Sequence, residues 1–268
     1  MILSDLHVHT TYCDGKSSIE EIARKADELG MTSLGFSGHG YTAFDDSYCM
    51  SPQKTQSYIN EINSIKDKYH TNIYLGLEKD LYGENSHENF DYLIGSAHYV
   101  KKDGVYYPVD HSEELFAKCL KEVFGGDALS YCKNYYAGIA ERLPLSGADI
   151  LGHIDLVGKF NSGKKYFDEE DKAYQSAALE AVAVAKDVCP IVEMNTGAIS
   201  RGYRHSPYPR KFILDYIRTH NMQIILNSDS HHKDNLCFKF DLCIEILKNA
   251  GFKNVVALID GKFQEMGI

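Results

Sequence analysis

The sequence predicts an α/β chain in which parallel strands alternate with helices, closed as a barrel or wound as an open sheet. Three observations carry this. Short apolar runs alternate with helix-like segments along the chain. At 268 residues the chain is long for one ordinary domain and typical of one α/β barrel. Histidines and acids recur at the carboxyl ends of the predicted strands, the edge at which parallel barrels place their chemistry.

In chain order, ILSDLHVH (2–9) reads as a strand running into a loop. Residues two apart on a strand share a face, so Leu3 lies with His7 and His9, while Ile2, Leu6 and Val8 take the other side. Ser17 and Ser18 each open an S-x-x-E capping box, with Glu20 and Glu21, before a helical face of Ile19, Ile22, Ala23, Ala26 and Leu29 that Gly30 ends. SLGFSGH (33–39) is the second strand, and a helix opening at Ser51-Pro52 runs to about Tyr69. NIYLGLE (72–78) and DYLIGSAH (91–98) are the third and fourth strands, and a helical region over 112–143 breaks at Gly125-Gly126. DILGHID (149–155), IVEMN (191–195), QIILNSD (223–229) and NVVALI (254–259) follow as strands, with helices in AYQSAALEAVAVAKD, RKFILDYIRTH and FDLCIEILKNAG between them. No repeat, low-complexity tract or linker divides the chain, so 1–268 is expected to be one domain.

Hydrophobic residues make up 44% and charged residues 25%, ordinary globular usage that supports a large core. The net charge of −10, with only short basic pairs such as Lys101-Lys102 and Lys164-Lys165, argues against an extended nucleic-acid partner. A small anion gathered by bound cations remains compatible, because metal charge dominates locally. Seven cysteines without a C-x-x-C pair fit reduced thiols better than a disulfide framework. The start shows no signal-peptide pattern, and no apolar run approaches the roughly 20 residues of a membrane span. A soluble, cytoplasmic protein with no membrane partner is expected.

His7 and His9, His39, Glu78, His98, His153, and Asp229 with His231 all fall at strand carboxyl ends. One such histidine is an ordinary hydrogen bonder. Several from different strands that converge at one mouth point to bound metal, since a divalent ion needs several ligands at once. His70, His87, His111 and His220 read as solvated loop or helix-end residues, and His232, facing away from His231, as structural. GKFNSGKK (158–165) nearly matches a phosphate-binding loop but lacks the Ser/Thr that would hold Mg²⁺, and is set aside. No G-x-S-x-G elbow or convincing cysteine nucleophile appears, so metal-activated water is the better nucleophile. Tyr41, Tyr99, Tyr203 and Tyr208 lie in strand-end loops where they can stack on a flat substrate ring. The loop GAISRGYRHSPYPR (197–210) brings Arg201, Arg204 and His205 over the mouth, with Arg204 favoured over Arg201 as a phosphate clamp. Glu193, ending the sixth strand, is a candidate for a substrate ammonium or for a structural ion pair.

DLHVHT, SGHG, GLE, GSAH, GHIDLV and NSDSHH, in that order from Asp5 to about His232, resemble the PHP (polymerase and histidinol phosphatase) family. SAHYV and GHIDLVGKF look most like its histidinol-phosphatase branch. The resemblance implies a distorted (β/α)7 TIM-like barrel with two to three divalent cations (Zn, Mn or Fe) at the strand carboxyl ends. An eighth strand must then be peripheral or misread. The resemblance also implies that His7, His9, Glu78 and Asp229 hold one cation, and that Glu78 bridges to a second held by His98 and His153. His39 and His231 would hold a third. Asp14 stands where many relatives carry histidine, which makes that third site oxygen-rich and suited to Mn²⁺ or Fe²⁺. Glu78, Asp229 and His231 are expected to be catalytic, and the reaction to be hydrolysis of a small phosphate monoester, L-histidinol phosphate, in histidine biosynthesis. The alternatives are a relative acting on nucleotides or nucleic-acid ends, an amidohydrolase, and a non-catalytic module. The second lacks its usual lysine near the fourth strand, where His98 stands. The third would lack ligands.

Overall fold

A computed structural model describes residues 4–83 and 89–268, so the readings made for Ile2, Leu3 and His87 fall outside the described residues. In chain order the elements are β1 (Ser4–Asp5), α1 (Ile19–Glu28), β2 (Ser33–Phe36), α2 (Pro52–Ile65), β3 (Asn72–Asp80), β4 (Tyr92–Ser96), β5 (Tyr99–Lys102) and β6 (Val105–Pro108). Then come α3 (Glu113–Glu122), α4 (Ala128–Ser146), β7 (Ile150–Leu151), α5 (Lys172–Val188), β8 (Ile191–Asn195) and α6 (Gly197–Ser200). The chain ends with α7 (Lys211–Thr219), β9 (Gln223–Asn227), α8 (Phe240–Asn249), β10 (Asn254–Ile259) and β11 (Lys262–Gly267). Of the two candidate caps for α1, Ser18 makes the reciprocal box with Glu21, while the Ser17 hydroxyl accepts from Lys233 N–H.

Strands β1, β2, β3, β4, β7, β8 and β9 run parallel in that order. At the carboxyl end the ring closes on itself. His9 N donates to Ser230 O at 2.8 Å and Ser230 N to His7 O at 3.0 Å, a parallel bridge centred on Val8. Asp5 seals the same seam, its carboxylate accepting from Ser228 N–H at 3.0 Å and Cys237 N–H at 2.9 Å. At the amino end β10 enters the seam, parallel to β9 through Val256 and Ile225, and the Ser33 hydroxyl donates to Leu258 O. The result is a distorted (β/α)7 TIM-like barrel. NVVALI is a true strand, but it widens the base and stops short of the mouth.

Two hairpins depart from the sequence reading, β5–β6 and β10–β11. Each turns on a two-residue Asp-Gly loop with both residues at positive φ, Asp103-Gly104 and Asp260-Gly261. That is the type I′ signature, legible in the sequence.

Alternation along the strands builds the barrel interior in layers. The floor is apolar, with Leu6, Tyr74, Tyr92, Ile94, Ile150, Ile191 and Ile225. Gly35 and Gly76 make room for Tyr92, because a Cβ at either would collide with its ring or hydroxyl. One step further along β3 lies Glu78, and one further Asp80. Leu6 belongs to this floor, whereas Val8 packs outward with Ile19, Ile22 and Ile62. The expected common face for Leu6 and Val8 therefore fails, because regular strand geometry ends at Asp5 and the chain turns to meet Ser230.

Candidate metal centre

The nine sequence-derived ligand candidates meet at the mouth. Glu78, 1% exposed, is the hub. On its Oε1 lie His7 Nε2 at 3.2 Å, His98 Nε2 at 3.3 Å and His153 Nε2 at 3.0 Å. On its Oε2 lie His9 Nε2 at 3.5 Å and His39 Nδ1 at 2.9 Å. Asp229 Oδ1 stands 3.3 Å from His9 Nε2 and 3.8 Å from His7 Nε2. Asp14 sits between His231 Nε2 at 3.2 Å and His39 Nε2 at 3.6 Å. Ligand atoms of four overlapping sets fall within 4.8 Å of one another: His7-His9-Glu78, His39-Glu78-His98, His7-His153-Asp229 and His9-Asp14-His39-His231.

The chemistry of this set fits divalent cations. His7 Nε2, His9 Nε2 and Glu78 Oε2 are buried and make no hydrogen bond, although they converge on each other. Native proteins rarely bury such groups unmatched, and imidazole nitrogens facing carboxylate oxygens are the donors that zinc and its neighbours take.

The far sides of two rings are committed to carboxylates, while His153 Nδ1 is buried without a hydrogen-bond partner. His7 Nδ1 meets Glu193 Oε1 at 2.6 Å and His98 Nδ1 meets Asp80 Oδ2 at 3.2 Å, whereas His231 Nδ1 lies 2.9 Å from Arg201 Nη1 and 3.0 Å from Asp229 O. On His7 and His98, a proton held at Nδ1 leaves the Nε2 lone pair aimed at the centre. Burial, then His231 and His39, bring the His9 pKa down to about 3, so that ring is neutral, as a ligand must be. Burial also opposes charge on His7, but Glu193 and then Glu78 and Asp229 outweigh it and hold its pKa well above normal. At Glu78 burial is outweighed by His7, His39 and His98, and its carboxyl stays ionised. Without cations, protons on imidazoles balance these buried acids.

A cavity of about 350 Å³ opens from the cluster. Beyond the ligand candidates its walls carry Arg201, Lys159, Asp110 and His111, with aromatic surface from Tyr48, Tyr99 and Tyr203. Arg201 donates to Asp229 Oδ2 at 2.8 Å and to Asp229 O at 3.1 Å.

Four residues expected to contact substrate, Glu193, Arg204, His205 and Tyr41, do not line this cavity. Glu193 is fully buried beneath the cluster, with Oε1 taken by His7 and Asn227 Nδ2 and Oε2 by His153 N–H and Asn195 Nδ2. Nothing is left for a substrate ammonium, and its partner is His7. Arg204 is only 4% exposed and lies over the Tyr208 ring at 4.5 Å, close to the buried Asp155, outside the cavity lining. The antiparallel bridge of Tyr208 with Asn195 folds that part of the loop inward, so Arg201 is the cavity arginine. His205 is exposed and Tyr41 half-buried, and neither lines the cavity. Tyr48 of the same loop does, its ring 4.7 Å from that of His39.

The sequence reading missed Asp80, Tyr48, Asp110 and Lys159 and took His111 for a surface residue. Asp80 had a signal, since it follows Glu78 by two on a strand and must share its face. The others depend on loop paths that no local pattern encodes.

Fold and site together define a barrel protein with a metal-capable mouth, its candidate ligands supplied at the ends of every strand of the parallel ring except β8. The model of the PHP domain matches residues 5–197, and the chain belongs to that family. Asp229 and His231 lie past the matched stretch, just after β9, the strand that closes the ring. A "Probable histidinol-phosphatase" of Schizosaccharomyces pombe is 24% identical over 282 residues, covering 95% of this chain and 89% of the relative. One of the same name from Clostridium acetobutylicum is 23% identical over 274 residues, covering 94% and 95%. Among solved structures, a candidate histidinol phosphatase of Listeria monocytogenes aligns with a TM-score of 0.74 at 21% identity, over 89% of this chain and 98% of that one. The histidinol phosphate phosphatase of Lactococcus lactis, complexed with zinc, L-histidinol and phosphate, aligns with a TM-score of 0.69 at 19% identity, over 98% and 100%. Both show the same fold. No helix among the described residues is long and apolar enough to cross a membrane.

Proposed function

We propose that the chain is a metal-dependent phosphomonoesterase that hydrolyses L-histidinol phosphate to L-histidinol and phosphate, a step of histidine biosynthesis in the cytoplasm, with residues 1–268 acting as one domain. The observation that carries a polynuclear metal site is the crowding at Glu78. Five imidazole nitrogens lie within 3.5 Å of one carboxylate, more than its hydrogen-bonding capacity uses. The substrate assignment is supported by the two curated relatives, which carry the same name and match along almost the whole chain.

In this reading His7, His9, Glu78 and Asp229 would hold one cation, Glu78 with His98 and His153 a second, and His39, His231 and Asp14 a third. His39 has a second option, because its Nδ1 faces Glu78 while its Nε2 faces Asp14. Zinc, manganese or iron held there supplies Lewis-acid charge and lowers the pKa of water to near neutrality. The protein's own contribution is positional. Glu193 and Asp80 fix the rings of His7 and His98, and Arg201 offers guanidinium charge to a phosphoryl oxygen while restraining Asp229. The test is phosphate release from L-histidinol phosphate by the purified chain, before and after chelation and metal restoration. A panel should include nucleotides and 5′-phosphorylated DNA. Metal-restored hydrolysis with preference for L-histidinol phosphate supports the proposal. Preference for a nucleotide or DNA end moves the chain to another branch of the family.

A further inference from the structure

Four carboxylates line the cavity: Asp14, Glu78, Asp110 and Asp229. Three of them contribute to the metal-capable sets, and Asp110 contributes to none. It follows β6 directly, where Val109 N donates to His98 O at 2.9 Å, so the backbone places Asp110 beside the cluster without joining it. Its side chain is half-buried. Lys159 Nζ donates to Asp110 O at 2.7 Å and to Oδ2 at 3.2 Å, while no described residue donates to Oδ1. Burial pushes the Asp110 pKa up, but Lys159 and then His98 and His153 outweigh it, so the group is an anion and a poor proton donor.

Cations and Arg201 account for the phosphate of a bound monoester. The leaving alcohol then lies along the rest of the lining, where Asp110 is the only acid outside the cluster among the described residues. A cationic group there pairs with Oδ1 in a site partly shielded from water, where charge-assisted bonds are strong. A leaving group with no N–H or O–H donor gains nothing from it.

We infer that Asp110 binds a protonated amine on the leaving group, so that the cavity selects phosphate monoesters of amino alcohols over those of neutral alcohols. The inference rests on the phosphatase reading above and adds the residue that sets specificity. The experiment compares kcat/KM of the metal-loaded chain for O-phosphoethanolamine and for n-propyl phosphate, a near-isostere without the amine, and repeats it with Asp110→Asn and Asp110→Glu. L-histidinol phosphate is run in parallel. The wild-type ratio should favour the amine at least tenfold, fall toward one in Asp110→Asn and survive in Asp110→Glu. The inhibition constant of L-histidinol should rise about tenfold more in Asp110→Asn than that of inorganic phosphate. A wild-type ratio near one overturns the proposal without any variant, as does a ratio that Asp110→Asn leaves unchanged. Hydrolysis of O-phosphoethanolamine with an Asp110-dependent ratio, but none of L-histidinol phosphate, keeps this inference and removes the histidinol-phosphate reading. Efficient, Asp110-independent hydrolysis of L-histidinol phosphate does the reverse.

Discussion

Replacing Glu193 by glutamine tests whether this carboxylate acts through His7. The new side chain keeps the shape of the old one in a fully buried place, but one oxygen becomes an NH₂ that must face two donors. In one orientation it faces His153 N–H and Asn195 Nδ2. Neither can yield, because the Asn195 Oδ1 that a flip would present is held by Gly197 N–H at 2.8 Å. In the other it faces His7 and Asn227. Asn227 is equally fixed, its Oδ1 holding Leu6 N–H at 2.8 Å. His7 can adapt by moving its proton from Nδ1 to Nε2. Each blocked donor costs about 1–3 kcal/mol, so the second orientation wins by that margin. Its consequence is a proton on the nitrogen that faces Glu78 and Asp229, which removes His7 from the ligand set. Losses of this kind run to about 10–100-fold in metal affinity or activity. The assay is metal content after dialysis against graded chelator, with kcat and KM measured at saturating metal. Metal affinity within threefold of wild type, together with a raised KM alone, would refute the ring-orienting role and restore Glu193 as a substrate contact.

Glu78→Gln should lower metal occupancy and reduce kcat by at least a hundredfold, more than any surface carboxylate change; full metal loading with near-normal turnover would exclude a bridging role. Arg201→Ala should lower kcat/KM about tenfold or more, the equivalent of about 1.5–3 kcal/mol for a lost charged hydrogen bond. Arg204→Ala should leave kcat/KM within about threefold but lower the melting temperature, because buried Asp155 loses the guanidinium that does most to offset its burial; kinetics that follow Arg204 instead would reverse the assignment. Because His7, His39 and His98 are held above their ordinary pKa in the ion-free protein, cations must displace protons from them. Apparent zinc affinity should therefore rise with pH, and calorimetry in two buffers of different ionisation enthalpy should report net proton release at pH 7. A pH-independent affinity would show that these rings are not ligands.

What the sequence by itself determined is the part of this protein written in local periodicity. The two-residue repeat along β3 commits Tyr74, Glu78 and Asp80 to one face whatever surrounds them, and strand–helix alternation makes the neighbouring strands parallel. Strand ends must then gather at one mouth, so His7, His9, His39, His98, His153 and Asp229 were legible as a group. The Asp-Gly turns of the two unexpected hairpins were written there too and went unread. Tertiary structure alone decided the rest. NVVALI reads as strongly as any barrel strand, yet the Val8–Ser230 bridge and the Asp5 seam leave it no room at the mouth. Glu193 and Glu78 both follow apolar runs on their strands, and only the register of β8 against β9 and the two asparagines turns Glu193 away from the cavity. Arg201 and Arg204 lie on one loop with equal local claims to it. The Asn195–Tyr208 bridge separates them, because a contact between residues distant along the chain fixes a loop's path, and no periodicity within the loop records it.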